Sequence, residues 1–285
     1  MSPSISYEVF PPRTDAGRRT LSRTLVDLRR IPPTLVSVTY GAGGSDTGRS
    51  FDAVTAATEL AECPVAAHLT CVGVPRHQVA EVVDRYLALG VRHIVALRGD
   101  PPEGIDAPYA PHPDGFESTA ELVSAIREQG SSAGVDLTVS VSAYPEVHPQ
   151  SRDLAHDLDV LAAKVDAGAD RAMTQMFFDD TAIHRYREAV RSRGIDVPII
   201  PGIMPIHAID RVIDFARRCG ASVPQALLDH FVGVDSDHAE HRRLAVAWTV
   251  TQIRALHREG FDEFHLYTLN QSDLVLEIVD ELERT

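Results

Sequence analysis

Short β-rich apolar runs alternate along the whole chain with longer stretches in which apolar residues recur at helical spacing. In one such stretch, Val79, Val82, Val83, Tyr86 and Leu87 fall at i, i+3, i+4, i+7 and i+8, as one buried helix face requires. The pattern predicts eight strands: ISYEVF (5–10), LVSVTY (35–40), VAAHLT (65–70), HIVALR (93–98), LTVSVSA (137–143), RAMTQMF (171–177), VPIIPG (197–202) and EFHLYT (263–268).

The repeated strand–helix unit predicts an α/β fold, a closed (β/α)8 TIM barrel. Eight units without a break in composition favour a barrel over an open doubly wound sheet, and no G-x-G-x-x-G follows the first strand. The segment 221–260 is longer than one helix needs, so we expect an extra short helix near the C-terminus. We expect one catalytic barrel domain over residues 1–285. Glycines also precede five of the strands, where a helix C-cap is expected: Gly90, Gly134, Gly168, Gly194 and Gly260.

Composition narrows the possible partners and compartment. The formal net charge of −14 disfavours nucleic acid and anionic membrane surfaces. No apolar run reaches 18 residues and no signal-peptide pattern follows Met1, so we expect a cytoplasmic protein without a membrane span. The three cysteines form no C-x-x-C pair, and the H-x-x-H of His238 and His241 is expected on a solvated helix face; no metal site is predicted.

Polar residues mark the carboxyl ends of the predicted strands, where barrel active sites form. A single inward Glu or His is more often a hydrogen-bonded core residue than a catalytic one. Convergence of many such residues on one rim instead favours a site. The polar strand ends are Glu8, Thr39, Tyr40, His68, Thr70, RGDPP (98–102), YPEVHP (144–149), Gln175 and YTLNQ (267–271).

Lys164 is the one lysine in a chain whose Lys and Arg together number 27. It lies seven residues after Asp157 on a predicted helix, so the two side chains share a side of that helix. A solvated ion pair is one interpretation. The other is a compact ammonium near the barrel rim that contacts a phosphate or a ring carbonyl.

Eight segments in chain order together resemble the bacterial 5,10-methylenetetrahydrofolate reductase family over nearly the whole sequence. The segments are YEVFPPR, SVTYGAGGS, HLTCVG, LRGDPP, AYPEVHP, KVDAGADRAMTQMFFD, IIPGIMPI and FHLYTLN. The resemblance implies a (β/α)8 flavoenzyme with FAD as cofactor and NADH or NADPH as hydride donor. It implies ping-pong reduction of a tetrahydrofolate derivative, 5,10-methylenetetrahydrofolate, to the 5-methyl form, which supplies methionine synthesis, and a homo-oligomer.

The resemblance also implies roles for individual residues. Glu8 matches the general acid that protonates the departing folate nitrogen, and Asp100 matches a residue between flavin and pterin. Gln175 and Phe215 match residues that contact the folate and the nicotinamide. The positions that match FAD contacts are Thr39, Tyr40, Ala42, His68, Arg98, Gly99, Asp100, Tyr144, His148, Asp157 and Lys164.

One departure concerns the substrate. The family reads Tyr-Thr-Leu-Asn-Arg after the last strand, and here the arginine is replaced by Gln271. A charge-assisted contact worth about 1.5–3 kcal/mol would be lost there. Arg211, on the helix after strand seven, is a candidate replacement for that charge.

Two alternatives remain open at this stage. One is a barrel reductase that transfers hydride directly from a nicotinamide or deazaflavin without flavin. The other is a folate- or flavin-binding barrel that has lost turnover. The set of FAD-matching positions argues against the first, and the presence of Glu8, Asp100 and Gln175 together argues against the second.

Overall fold

The strands form a closed parallel barrel in a computed structural model that describes residues 2–40, 47–101, 107, 109–234 and 239–284. Neighbours in the sheet run β7-β6-β5-β4-β3-β2-β1-β9-β8, and each pair of neighbouring strands is parallel. The strands are β1 (Ser4–Val9), β2 (Leu35–Val38), β3 (Val65–Thr70), β4 (His93–Leu97), β5 (Thr138–Ala143), β6 (Arg171–Thr174), β7 (Ile199–Ile200), β8 (Gly202–Ile203) and β9 (Glu263–Tyr267).

Barrel closure occurs at the seventh strand, which Pro201 divides into β7 and β8. The first half pairs with β6 and the second half with β9. Proline has no N–H to donate to a strand ladder. Its carbonyl accepts from the His265 N–H at 2.9 Å. The eight predicted strands and the (β/α)8 fold class are therefore confirmed, with strand seven split in two.

Helices alternate with the strands, as the apolar spacing predicts. In the described residues they are α1 (Asp15–Leu28), α2 (Thr47–Leu60), α3 (Arg76–Ala88), α4 (Thr119–Ser132), α5 (Leu154–Asp166), α6 (Asp180–Ser192), α7 (Ile209–Cys219), α8 (Gln225–His230), α9 (Ala239–Arg258) and α10 (Ser272–Glu283). The short α8 confirms the extra helix predicted near the C-terminus. All five predicted cap glycines have positive φ, between 67° and 109°. None of these helices combines the length and apolar character needed to cross a bilayer.

Two apolar clusters stabilise the barrel. The larger lies between the strands and the helices and includes Tyr7, Val9, Ile94, Phe264 and Leu266, all buried. The smaller lies inside the barrel and consists of Leu35, Ala66, Val95, Met173 and Ile200, with Leu97 against it. Much of the remaining interior is polar, and it includes three buried histidines: His68, His93 and His265.

Candidate active site

A cavity of about 500 Å³ opens at the carboxyl ends of the strands, the end at which barrel enzymes place their active sites. Most of the residues predicted from the sequence line it. They are Glu8, Thr39, Tyr40, His68, Arg98, Gly99, Asp100, Tyr144, His148, Asp157, Lys164, Gln175 and Phe215.

Two predicted residues with described positions are not among the cavity lining, and a third has no described position. Ala42 lies outside the described residues. Arg211 is exposed on α7, one helical turn before Phe215. Gln271 is exposed at the N-cap of α10, where its N–H donates to the Thr268 carbonyl at 2.9 Å. The structure therefore gives neither Arg211 nor Gln271 a direct place in the cavity.

Glu8 projects from β1 into a group of buried polar side chains. Its Oε2 lies 3.6 Å from His68 Nε2 and 3.6 Å from His265 Nε2. Its side chain is 20% exposed, whereas those of His68 and His265 are 8% and 2% exposed. The carboxyl group can therefore reach a ligand in the cavity, and the two imidazoles lie on the side of it that faces the barrel interior.

His68 is held in its neutral form. Burial lowers its pKa from 6.5 to about 4, against the opposing effect of the Glu8 carboxylate; His265 lowers it further. Its Nε2 lies 3.2 Å from Ser37 Oγ. At neutral pH, His68 therefore contributes a hydrogen bond and no charge.

The loop after β9 fixes the backbone on both sides of Glu8. The Thr268 hydroxyl donates to the Glu8 carbonyl at 2.6 Å. The Asn270 amide accepts from the Phe10 N–H and donates to the Phe10 carbonyl, both at 2.9 Å. Asn270 has a φ of +55°, a conformation that Asn tolerates better than most residues. The TLN segment thus positions the strand end that carries Glu8.

The end of β4 requires glycine at position 99. Gly99 has a φ of +86°, and a Cβ there would lie 2.6 Å from Val72 Cγ1 and 2.9 Å from Thr70 Cβ. The preceding Arg98 donates to the Gln150 side chain, and its guanidinium lies 5.0 Å from the centre of the Tyr109 ring. The backbone at Gly99 is therefore packed closely against Thr70 and Val72, between a fixed cation and Asp100.

A second polar cluster joins β5 to α5. Lys164 Nζ donates to the Ser142 carbonyl at 2.9 Å and to its hydroxyl at 3.2 Å. Asp157 accepts from the His148 N–H at 2.9 Å and from the Ser151 hydroxyl. Lys164 and Asp157 are 5% and 8% exposed, so the solvated-pair interpretation is wrong.

The single lysine should make the stability of the cofactor-free protein depend on pH. Burial lowers the pKa of Lys164 from 10.5 to about 8, against the opposing effect of Asp157. Between these two values the unfolded chain binds more protons than the folded one, so stability rises with pH across that window. At pH 8 and below, the full cost of the buried charge applies.

Between roughly pH 7 and pH 10, we expect the free energy of unfolding to rise by about 2 kcal/mol less in Lys164→Met than in the wild type, as measured by urea unfolding. No other lysine contributes, because the chain has one. Leu161→Met, a buried position on the same helix, is the matched control and should keep the rise. An identical pH dependence in the two variants would contradict this assignment.

The opposite wall carries aromatic and apolar groups. Tyr267 donates its hydroxyl to the Thr174 carbonyl at 2.7 Å, and Gln175 follows directly. Phe10, Phe215 and Leu269 line the cavity while remaining 41%, 38% and 38% exposed. Such a wall can pack against a planar ligand while the facing polar groups bind its heteroatoms.

Comparison with known proteins gives the family. A family model described as methylenetetrahydrofolate reductase matches residues 1–283. This chain belongs to the methylenetetrahydrofolate reductase family. The 5,10-methylenetetrahydrofolate reductase of Salmonella typhimurium is 39% identical over 274 residues, covering 95% of this chain and 88% of that protein. The Pectobacterium carotovorum enzyme of the same name is 38% identical over 271 residues, with coverages of 95% and 87%.

Comparison with solved structures shows the fold alone. A 2,3-dimethylmalate lyase structure has a TM-score of 0.55 and 11% identity, covering 99% of this chain and 81% of that one. An oxaloacetate acetylhydrolase structure has a TM-score of 0.53 and 12% identity, with coverages of 99% and 80%. Both likenesses indicate a shared barrel architecture and carry no information on the reaction.

Sequence reasoning missed several residues of this site. His265 and Ser37 are buried beside Glu8 but were not among the candidates, and Asn270, named only within the YTLNQ strand end, was given no role. A signal existed for His265, because its alternation with Glu263 and Tyr267 places all three on one face of β9. No local sequence pattern indicates the hydrogen bonds between Asn270 and Phe10, because the two residues are 260 positions apart in the chain.

In the described ranges, no three His, Cys, Asp or Glu side chains are arranged to hold an ion. His238 lies outside those ranges. His241 is 2% exposed, with its ring centre 4.6 Å from that of Phe231, so the prediction of a solvated face is wrong for it.

Proposed function

We propose that this protein reduces 5,10-methylenetetrahydrofolate to 5-methyltetrahydrofolate, with NADH or NADPH as donor and FAD as the intermediate carrier. The observation that carries the proposal is a single cavity lined by Glu8, Asp100 and Gln175, in a chain that belongs to this family along almost its full length. These are the side chains that the reaction requires as proton donor and as pterin-binding groups.

The residues present fit FAD. The cavity presents two cationic side chains, Arg98 and Lys164, for an anionic group, and Gly99, which has no side chain, lines it between them and Asp100. The Thr70 hydroxyl also lines it and is buried without a hydrogen-bond partner among the described residues. Such an orphaned hydroxyl is satisfied when a polar ligand occupies the space. Bound flavin would supply the capacity to accept a hydride and pass it on.

The remaining residues that would hold the cofactor lie around these groups. Tyr144 and His148 stack edge to face, with ring centres 4.6 Å apart. Asp157 fixes the backbone of His148 and supports the Lys164 charge. Thr39, Tyr40 and His68 complete the side nearest to Glu8.

The protein's own contribution to the chemistry is a proton. The bridging methylene carbon of the substrate accepts hydride only after one of its two C–N bonds breaks, which leaves a 5-iminium cation. Glu8 would donate a proton to the departing nitrogen, so that this nitrogen leaves as a neutral amine and Glu8 becomes a carboxylate. Asp100 and Gln175 would hydrogen-bond the pterin, and Phe215 would pack against the ring system and exclude water.

The test is an anaerobic absorbance experiment on the purified protein with FAD bound. NADH or NADPH should bleach the flavin band at about 450 nm, and subsequent methylenetetrahydrofolate should restore it. A protein that binds no flavin, yet oxidises NADH when methylenetetrahydrofolate is added, would favour the flavin-free reductase. Flavin that bleaches and never recovers with folate would contradict the proposed substrate.

The same proposal describes a cytoplasmic homo-oligomer of single-domain chains that bind small molecules and no nucleic acid. The net charge of −14 supports the exclusion of nucleic acid. The three free cysteines are compatible with a reducing compartment.

A further inference from the structure

His265 occupies the centre of a hydrogen-bonded chain inside the barrel. Its Nδ1 lies 2.7 Å from Ser6 Oγ, and its Nε2 lies 3.1 Å from Ser37 Oγ. Ser37 in turn lies 3.2 Å from His68 Nε2. The register explains the geometry, because β1 separates β2 from β9 in the sheet, and Ser37 can reach His265 only across the barrel interior.

One tautomer of His265 makes every one of these contacts a hydrogen bond. Ser6 Oγ has one hydrogen and two neighbours that can accept it, the Phe264 carbonyl at 3.2 Å and a bare His265 Nδ1 at 2.7 Å. Only with the ring proton on Nδ1 does Ser6 keep both contacts, because it then donates to the carbonyl and accepts from Nδ1–H, which leaves a lone pair on His265 Nε2. Ser37 donates its one hydrogen to that lone pair and accepts from His68 Nε2–H.

This arrangement gives a Glu8 carboxylate no donor from either ring. The His68 N–H is directed at Ser37, and His265 Nε2, 3.6 Å from Glu8 Oε2, has no hydrogen. The single lone pair of that nitrogen already accepts from Ser37, so a carboxylate oxygen at this distance faces an electron-rich nitrogen and gains no hydrogen bond from it. A negative charge in such surroundings is disfavoured relative to the neutral acid.

We propose that His265 is a positioning residue that, with Ser6 and Ser37, holds Glu8 as a carboxylic acid ready to protonate the substrate. The inference rests on the proposed function, because it concerns the acid step of that reaction. It extends the site by a residue on the barrel's interior face that also lines the cavity.

The titratable groups that face His265 are few and come from several elements. Glu8 of β1 and His68 of β3 lie beside Nε2, and Tyr267 of its own strand lies 5.8 Å away between ring centres. His93 of β4 is near enough for His265 to lower its pKa; burial is the main cause, and brings that pKa to about 4. The residues of β2 and β8 that lie next to His265 are Ser37 and Gly202, and neither has a titratable side chain.

The first test reads the tautomer without any turnover. In ¹⁵N-histidine-labelled protein, we expect His265 Nδ1 to resonate as a protonated ring nitrogen and Nε2 as an unprotonated one. The resonances are assigned by their loss in His265→Asn. A proton found on Nε2 would overturn the proposal, whether or not the protein reduces folate.

The second test uses two replacements that mimic different ring nitrogens. The amide of Asn occupies the Nδ1 position and can keep the Ser6 contact, whereas the amide of Gln reaches the Nε2 position beside Glu8. We expect the folate-driven reoxidation of flavin to be about tenfold slower in His265→Asn than in the wild type at neutral pH. The rate of this step should fall as the pH rises, and in His265→Asn this fall should occur about one pH unit lower than in the wild type. His265→Gln should retain most of the rate. Each rate is normalised to NADH-driven bleaching of the same preparation.

His93 provides the matched control. It is also buried in the barrel, lies 2.7 Å from a serine hydroxyl through Nε2, and is not among the cavity lining. His93→Asn should leave the pH profile where the wild type has it. Equal shifts of the pH profile in the His93 and His265 variants would mean that the effect arises from general packing of the barrel interior, and would overturn the proposal. A wild-type protein without folate-driven reoxidation would refute the proposed function instead.

Discussion

Glu8→Gln should retain NADH-driven bleaching of bound flavin and lose folate-driven recovery by a factor of about 10² to 10⁴, the usual contribution of a general acid. The amide keeps the shape of the carboxyl group but has no acidic proton for the departing nitrogen. The cavity would still bind both substrates, since Asp100, Gln175 and Phe215 are unchanged. The two half-reactions are measured separately by anaerobic stopped-flow absorbance.

A surface variant controls for differences between protein preparations. Glu188→Gln, at an exposed position on α6, carries the same chemical change and should recover with folate at the wild-type rate. Unfolding of Glu8→Gln in urea should match the wild type within about 1 kcal/mol, because Glu8 is partly exposed and its isostere fills the same space. Undiminished folate turnover in Glu8→Gln would assign the acid role elsewhere.

Gly202→Ala should destabilise the protein by at least about 3 kcal/mol, the upper range for forcing extra atoms into a packed interior. A Cβ at this position would lie 2.2 Å from the Thr174 carbonyl oxygen and 2.6 Å from the Tyr267 hydroxyl. Relief of both clashes would require the Thr174 backbone and the hydrogen-bonded Tyr267 phenol to move together, which costs free energy. The Gly202 N–H also donates to Thr174 Oγ1 at 2.8 Å, so any shift of β8 breaks a buried hydrogen bond.

Gly48→Ala is the comparison for that measurement. Gly48 lies in the first turn of α2, and no atom of the residues that the structure describes is within 4 Å of where its Cβ would be. Replacing helical glycine by alanine should leave stability equal or raise it by up to about 1 kcal/mol. Urea unfolding of both variants decides the point. Similar small changes in the two would show that β8 can repack and that closure of the barrel tolerates a methyl group there.

The sequence was informative wherever the determining interaction is local. Alternation of apolar runs is a property of each segment, and it located every barrel strand; glycine at helix ends is likewise a local requirement. The convergence of Glu8, His68, Asp100 and Gln175 on one cavity followed from a single topological rule about the ends of parallel strands.

The features that sequence reasoning missed depend on contacts between distant parts of the chain. The Ser37–His265 contact joins residues 228 apart, and no local pattern specifies which serine meets which imidazole. The split of strand seven at Pro201 is visible only when its two partners, β6 and β9, are both known. Arg211 was proposed from its charge, but helix α7 directs Phe215 and not Arg211 to the cavity.

The pairing of the first strand with the last has a consequence for the protein during its synthesis. Ser6 and His265 are 259 residues apart, and Thr268 and Asn270, which fix the Glu8 and Phe10 backbone, are made later still. At ribosomal rates of about 5–20 residues per second, the segment bearing Glu8 waits roughly 13 to 52 seconds for these partners. A nascent chain therefore carries its acid residue without the groups that surround it, and the catalytic centre is assembled as one of the last events of folding.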